Sequence, residues 1–323
     1  MTRLDADPTE TVAPSPTRVH DVSGPQSVLL ASREVPLGGI RAMQVHRMLP
    51  QRDLPLVGAW CFLDRFGPQS TRMRVEPHPH IGLQTVTWPF VGEVHHRDSL
   101  GSDVVVRSGA LNLMTSGAGI SHSEYSVGEG EVPLDALQLW VALPESRRHG
   151  PPAFEQRDDL PVVELPGGAA AIVVMGEFAG VSSPASVFTP IVGAEVRLPA
   201  DERVTLPLRP DWEYAIVGID GEVDAEGITV VPYRLLYLGV DRDGIELSSP
   251  EGATFFLLGG EPFEDDVVMW WNFVARTHEE VVEAREEWEA RSPRFGSVAG
   301  HGDVRIPAPP LPGVRLTSRR RRL

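Results

Sequence analysis

His78-Pro79-His80 and His122-Ser123-Glu124 decide the reading of this chain, because each is a pair of metal-capable side chains two residues apart. On a β-strand alternate side chains share a face, so both members of a pair turn inward together. Two such strands facing one another bring three imidazoles and one carboxylate to a single point. The sequence between the pairs reads as barrel wall: strand formers in Thr85-Val86-Thr87-Trp88 and Val104-Val105-Val106, turn signals at Gly92, Gly101 and Gly109. Gly117 and Gly119 permit a tight approach just before His122. Pro79 lacks only an N–H, which an edge or bulged strand tolerates.

Three neutral histidines and one carboxylate, without thiolate, form a borderline-to-hard donor set suited to iron, manganese, nickel or zinc rather than to a closed structural zinc site. Four ligands on an octahedral ion leave two positions for water, substrate or dioxygen. Gln84, a neutral amide, is expected beside the ligands rather than among them, which leaves the site one anion. His95 and His96 are adjacent, so on a strand their side chains diverge and at most one looks inward. His46 has no metal-capable neighbour two residues away and reads as a surface or satisfied core histidine.

In order and spacing these motifs resemble the signatures of the pirin family within the cupin superfamily. The segments that carry the resemblance are His78-Pro79-His80-Ile81-Gly82-Leu83-Gln84-Thr85-Val86, Gly117-Ala118-Gly119-Ile120-Ser121-His122-Ser123-Glu124 and Leu137-Gln138-Leu139-Trp140-Val141. It continues through Leu258-Gly259-Gly260-Glu261-Pro262 and Asn272-Phe273-Val274. The resemblance implies a duplicated cupin barrel (a bicupin), Fe(II) as the metal, and His78, His80, His122 and Glu124 as its ligands. It also implies kinship with quercetin dioxygenases, in which a flavonol-like aromatic substrate is activated through its hydroxyl for attack by dioxygen, Glu124 serving as base as well as ligand. The family's animal co-regulators of transcription imply a second reading, a non-catalytic protein whose metal redox state governs binding of protein partners. His96 falls where the family has a histidine near the site.

Composition sets independent bounds. A chain of 323 residues, 41% hydrophobic and 23% charged, has the size of two domains and buries about 75% of its unfolded surface on folding. No apolar run approaches the ~20 residues that span a bilayer, and no secretory apolar segment precedes the first domain. The single cysteine, Cys61, excludes an intrachain disulfide and fits a reducing compartment, the cytoplasm. Between Trp60 and Phe62 it reads as a small buried hydrophobe. A net charge of −16 argues against nucleic-acid binding. Every basic residue is arginine.

Short apolar runs punctuated by Gly and Pro give an all-β fold. A Pro/Ser/Thr-rich arm (1–25) precedes a metal-binding barrel (26–150). After the connector at Pro151-Pro152 comes a second barrel (151–275), with strands expected at Ala171–Met175, Val187-Phe188, Glu195–Leu198, Tyr214–Val217, Ile228–Val231 and Phe255–Leu258. Placing Gly92-Glu93-Val94 over Gly221-Glu222-Val223 sets His78 and His80 opposite Pro207 and Arg209, neither of which ligates a transition metal. The C-terminal segment (276–295) carries a helix over 277–291: Thr277 and Glu280 have capping-box spacing, and Val281, Ala284 and Trp288 form an apolar stripe. The tail (296–323), ending in Arg319-Arg320-Arg321-Arg322, reads as a flexible, solvated end.

Overall fold

The computed structural model of the chain describes residues 24–37, 43–318 and 321–323. All but the last two residues of the expected arm lie outside them. The fold is all-β, two barrels each built from one large and one small antiparallel sheet. The small sheets repeat one strand order. In the first half it runs Arg74–His80, Ile120–Ser126, Glu93–Asp98, Asp103–Arg107; in the second, Arg203–Pro207, Gly244–Ser248, Val223–Ala225, Ile228–Val230. That shared order is the duplication which the sequence carries only faintly.

The two large sheets pack face to face, and the largest apolar cluster lies between them. Trp60, Val86, Trp88, Leu137 and Leu139 of the first sheet meet Ala215, Val217, Leu235, Tyr237 and Phe256 of the second. Both buried indoles use their N–H across this seam: Trp60 donates to the carbonyls of Val192 (3.0 Å) and Gly259 (3.2 Å), and Trp88 to Glu195 Oε2 (2.9 Å). Cys61 is buried in the same cluster, its thiol pushed up to about 12 by burial, as suits a core residue with no redox exposure.

Each half lends the other a strand or holds one beyond its expected boundary. Pro25–Ala31 pairs with Arg234–Gly239 of the second half, and Ala153–Arg157 pairs with Leu111–Thr115 of the first. A boundary at residue 150 therefore falls inside the first sheet. Val187-Phe188 forms no strand; it lies in an irregular connection between Val181–Ser182 and Ile191–Leu198. His46 is half-buried, 3.3 Å from the Ser32 hydroxyl and beside the Tyr233 ring, a satisfied histidine.

The α-helix is His278–Glu289. Thr277 caps it by accepting from Glu280 N (3.2 Å), an interaction worth about 1 kcal/mol. Val281, Ala284 and Trp288 bury against Ile81, Phe273 and Phe295, so the helix docks beside the strand that carries His80.

Within the arginine run, whose Arg319 and Arg320 lie outside the described residues, Arg321 departs from the solvated end expected of it. The Arg321 side chain is 4% exposed, and its guanidinium meets the fully buried Glu213 (2.8 Å), the carbonyl of Leu56 (2.9 Å) and the Tyr237 hydroxyl (3.1 Å). Glu213 in turn accepts from Gly58 N (2.7 Å), so this carboxylate at the seam needs the cation that the tail delivers. Arg321→Ala leaves a buried anion without its partner and is expected to cost about 3 kcal/mol, read as a lower denaturant midpoint. Adding Glu213→Gln should recover part of that loss, whereas a solvated tail would make the single variant silent.

Candidate metal centre

The site forms on the small sheet of the first half. Ile120–Ser126 runs between Arg74–His80 and Glu93–Asp98, with His122 directly across from His78 on one side and from Asp98 on the other. Alternation turns His78, His80 and His122 into the barrel, where they are 6%, 1% and 0% exposed. Their ligand nitrogens lie within 4.8 Å of one another, and Nε2 of His80 stands 3.1 Å from Nε2 of His122. The geometry brings the three imidazoles together.

Each imidazole has its Nδ1 engaged on the side away from the cluster. His78 Nδ1 is 2.9 Å from the carbonyl of Glu76, and His80 Nδ1 is 3.2 Å from that of Asn272. A carbonyl only accepts, so in both rings Nδ1 carries the proton and Nε2 the free lone pair. Burial holds the rings neutral: it pushes His78 down to about 4 and His80 and His122 well below the ordinary histidine value. Neutral, outwardly hydrogen-bonded imidazoles with converging lone pairs are the form in which histidine binds a metal ion.

Asn272 reaches His80 because of one glycine. Gly82 sits at φ +69, and a Cβ there would stand 2.0 Å from the carbonyl oxygen of Val274. That close approach lets Phe273–Ala275 lie beside the ligand strand, with Ile81 bridging to Phe273. The sequence motif names Gly82; its partner, almost 200 residues away, only the fold reveals.

Glu124 departs from a simple four-point convergence. The register slips between His122 and Glu124, so Glu124 pairs with Val75, and its carboxylate groups with His96 and His122 rather than within the tight trio. It still lines the same cavity as His78 and His80. Its Oε1 lies 3.1 Å from the Thr87 hydroxyl. Burial raises its carboxyl above the ordinary value, opposed by His96 and by hydrogen bonds with Thr87 and Gln138. The cavity, about 330 Å³, is walled by Phe62, Trp140 and Trp271. Phe62 stacks on Trp140 with ring centres 4.0 Å apart, and the Arg47 guanidinium sits 4.6 Å over Phe62.

Gln84 does not stand beside the ligands. It shares strand parity with Val86 and Trp88, faces the seam, and donates to Thr115 Oγ1 (3.0 Å) and the Ser186 carbonyl (3.2 Å). Thr87, of opposite parity, takes the position beside the carboxylate. Of the adjacent histidines, His96 is the inward one at 2% exposure, while His95 pairs with Asp103 at the surface.

Comparison with known proteins agrees with this architecture. Residues 42–141 match the family described as Pirin, and residues 193–296 match the Pirin C-terminal cupin domain. The chain belongs to the pirin family. It is 39% identical over 287 residues to a Pseudomonas aeruginosa protein provisionally named a quercetin 2,3-dioxygenase, covering 88% of this chain and 90% of that protein. It is 32% identical over 252 residues to rat pirin, covering 75% and 84%. A crystal structure of quercetin 2,3-dioxygenase from Acinetobacter baumannii superposes with a TM-score of 0.85 at 39% identity, covering 90% of this chain and 97% of that one. A bacterial pirin of Escherichia coli in complex with nickel(II) (TM-score 0.57, 19% identity, 73% of this chain and 100% of that one) shares the fold.

In this pirin the second barrel has a different interior. Leu206 pairs with Ile245 and Val204 with Leu247, all buried among apolar neighbours. Pro207, set opposite His78 by the sequence register, is exposed at its strand's end. No helix among the described residues is long and apolar enough to cross a membrane.

Gly82→Ala would place a side chain in a left-handed conformation and against the Val274 carbonyl, so a loss above ~2 kcal/mol is expected. Gly109, also at positive φ but with nothing within 4 Å of a built Cβ, provides the control. Its alanine variant should cost only about 1 kcal/mol. Equal losses in thermal or denaturant unfolding would show that the close approach at Gly82 is not what constrains it.

Proposed function

We propose that this chain is an iron-dependent dioxygenase that opens flavonol-like substrates, with His78, His80, His122 and Glu124 holding Fe(II). The observation that carries the reading is the set of buried neutral imidazoles, lone pairs converging, at the wall of an aromatic-lined cavity. Its thiolate-free donors suit iron, manganese, nickel or zinc, and kinship with the pirin family is what favours iron among them. When bound, the metal would supply Lewis-acid activation of the substrate hydroxyl and the redox chemistry of oxygen insertion.

The chain's own residues supply the rest. A cavity of about 330 Å³ is at the lower end of the range for small-molecule sites and suits a flat aromatic molecule. Phe62, Trp140 and Trp271 give it an apolar aromatic lining. Arg47 is fixed by two hydrogen bonds to Asp64, each 2.8 Å, from Nε and Nη2. That leaves Nη1 at the cavity edge to meet a phenolic or carbonyl oxygen. Glu124, its proton affinity raised by burial, takes the proton from the substrate hydroxyl onto a carboxylate oxygen. The names borne by the Pseudomonas and Acinetobacter relatives support the substrate class.

Anaerobic loading should give one iron per chain, and His80→Ala should lose most of it; two ions per chain, or undiminished iron in the variant, would count against the ligand assignment. Oxygen uptake is then measured with a panel of flavonols. Glu124→Gln should retain iron in part, while turnover per bound iron falls by roughly 10²- to 10⁴-fold for the loss of a general base. Equal turnover per iron would remove the base role. Fully loaded protein that cleaves no flavonol would favour the alternative, a redox-dependent regulatory protein acting through protein partners.

A further inference from the structure

His78 and His80 each direct Nδ1 at a backbone carbonyl, but Nδ1 of His122 faces another imidazole, Nδ1 of His96, at 3.3 Å. A neutral imidazole has one N–H and one lone pair, so the direction of this contact decides which nitrogen of His122 is free. The far end of the chain of contacts settles it. Asp98 Oδ1 accepts from the backbone amides of Leu100 (2.8 Å) and Ser102 (3.0 Å), and its Oδ2 stands 3.2 Å from His96 Nε2.

The amides only donate, so the carboxylate is held as acceptor and His96 must donate to it from Nε2. Its Nδ1 then has the lone pair, and His122 donates into that from Nδ1. The remaining lone pair of His122, on Nε2, points at His80 Nε2 and the cluster. Phe154 stacks on the His96 ring at 4.5 Å and fixes its plane. His96, Asp98 and His122 are 2%, 1% and 0% exposed, so the line is closed to bulk solvent.

We infer that Asp98 and His96 are positioning residues that set the tautomer of His122, as carbonyls do for His78 and His80. The role in metal binding rests on the reading that the imidazole trio holds a metal ion. His96 is thereby not a metal ligand, although His96, His122 and Glu124 have ligand atoms within 4.8 Å of one another. An ion held there would have to take the lone pair of His96 Nδ1 and displace the His96–His122 hydrogen bond, while the donation from His96 Nε2 to Asp98 would survive.

The relay makes an unusual demand on Asp98. Asp98→Asn retains an oxygen for the Leu100 and Ser102 amides and turns an NH₂ toward His96. His96 must then accept at Nε2 and donate from Nδ1, which forces His122 to carry its proton on Nε2, the nitrogen meant for the metal. His96→Phe keeps the stack on Phe154 and removes the acceptor outright. Both variants should bind Fe(II), added anaerobically, roughly 10- to 100-fold more weakly than wild type. His95→Ala, on the same strand but at the surface, should bind as wild type.

The decisive readout is nitrogen-15 NMR of the histidine rings in metal-free protein, which a merely structural role would not move. Wild type should show His122 protonated on Nδ1, and Asp98→Asn should show it protonated on Nε2. An unchanged His122 tautomer in Asp98→Asn, or His96→Phe with wild-type iron affinity, would overturn the inference. So would wild type binding two ions and His96→Phe only one. Because the tautomer is read without metal, failure of the relay remains distinguishable from failure of iron binding itself.

Discussion

Three imidazoles pressed together in a barrel interior cannot all be charged, and burial keeps them neutral. Neutrality alone leaves each ring a choice of tautomer. Acceptors on the outer side of each ring remove that choice: the Glu76 carbonyl, the Asn272 carbonyl and His96. Much of the surrounding structure serves to deliver them. Gly82 admits the strand that brings Asn272, the Ser99–Ser102 turn anchors Asp98 behind His96, and the helix capped by Thr277 buttresses the same corner.

The two halves show how one architecture supports different interiors. Their small sheets have the same strand order, yet where His78 faces His122 in the first, Leu206 faces Ile245 in the second. The second barrel closes on an apolar core that contributes stability. The first leaves a cavity beside its histidine cluster and packs Val45, Val94, Val106 and Leu134 elsewhere in its interior. The seam joins them through buried side chains from both, with Arg321 completing a charge pair that Glu213 could not sustain alone.

What was legible in the sequence was local. Two pairs of metal-capable side chains at strand spacing, turn glycines and a capped helix place the clustered histidines, the all-β class and the helix, because alternation and capping act within a few residues. Gln84 is expected beside the ligands from its side-chain chemistry, a neutral amide next to the histidine motif, whereas strand parity sends it to the seam and gives its place to Thr87. The offset of Glu124 comes from a register slip, and bulges leave no mark in the spacing of His122 and Glu124. Contacts between distant segments are likewise invisible in the sequence: Asn272 on His80, Pro25–Ala31 paired into the second sheet, and Arg321 on Glu213. A run of arginines at a terminus looks solvated until the buried carboxylate it meets is known.

The central claim is that the lone pairs of His78, His80 and His122, with Glu124, meet on one ion. Anomalous diffraction at the iron edge from crystals loaded with Fe(II) tests this most directly. The account predicts a single strong peak per chain, among Nε2 of the three histidines and within bonding distance of the Glu124 carboxylate. A peak centred between His96 and Glu124, or a second peak in the other barrel, would contradict it.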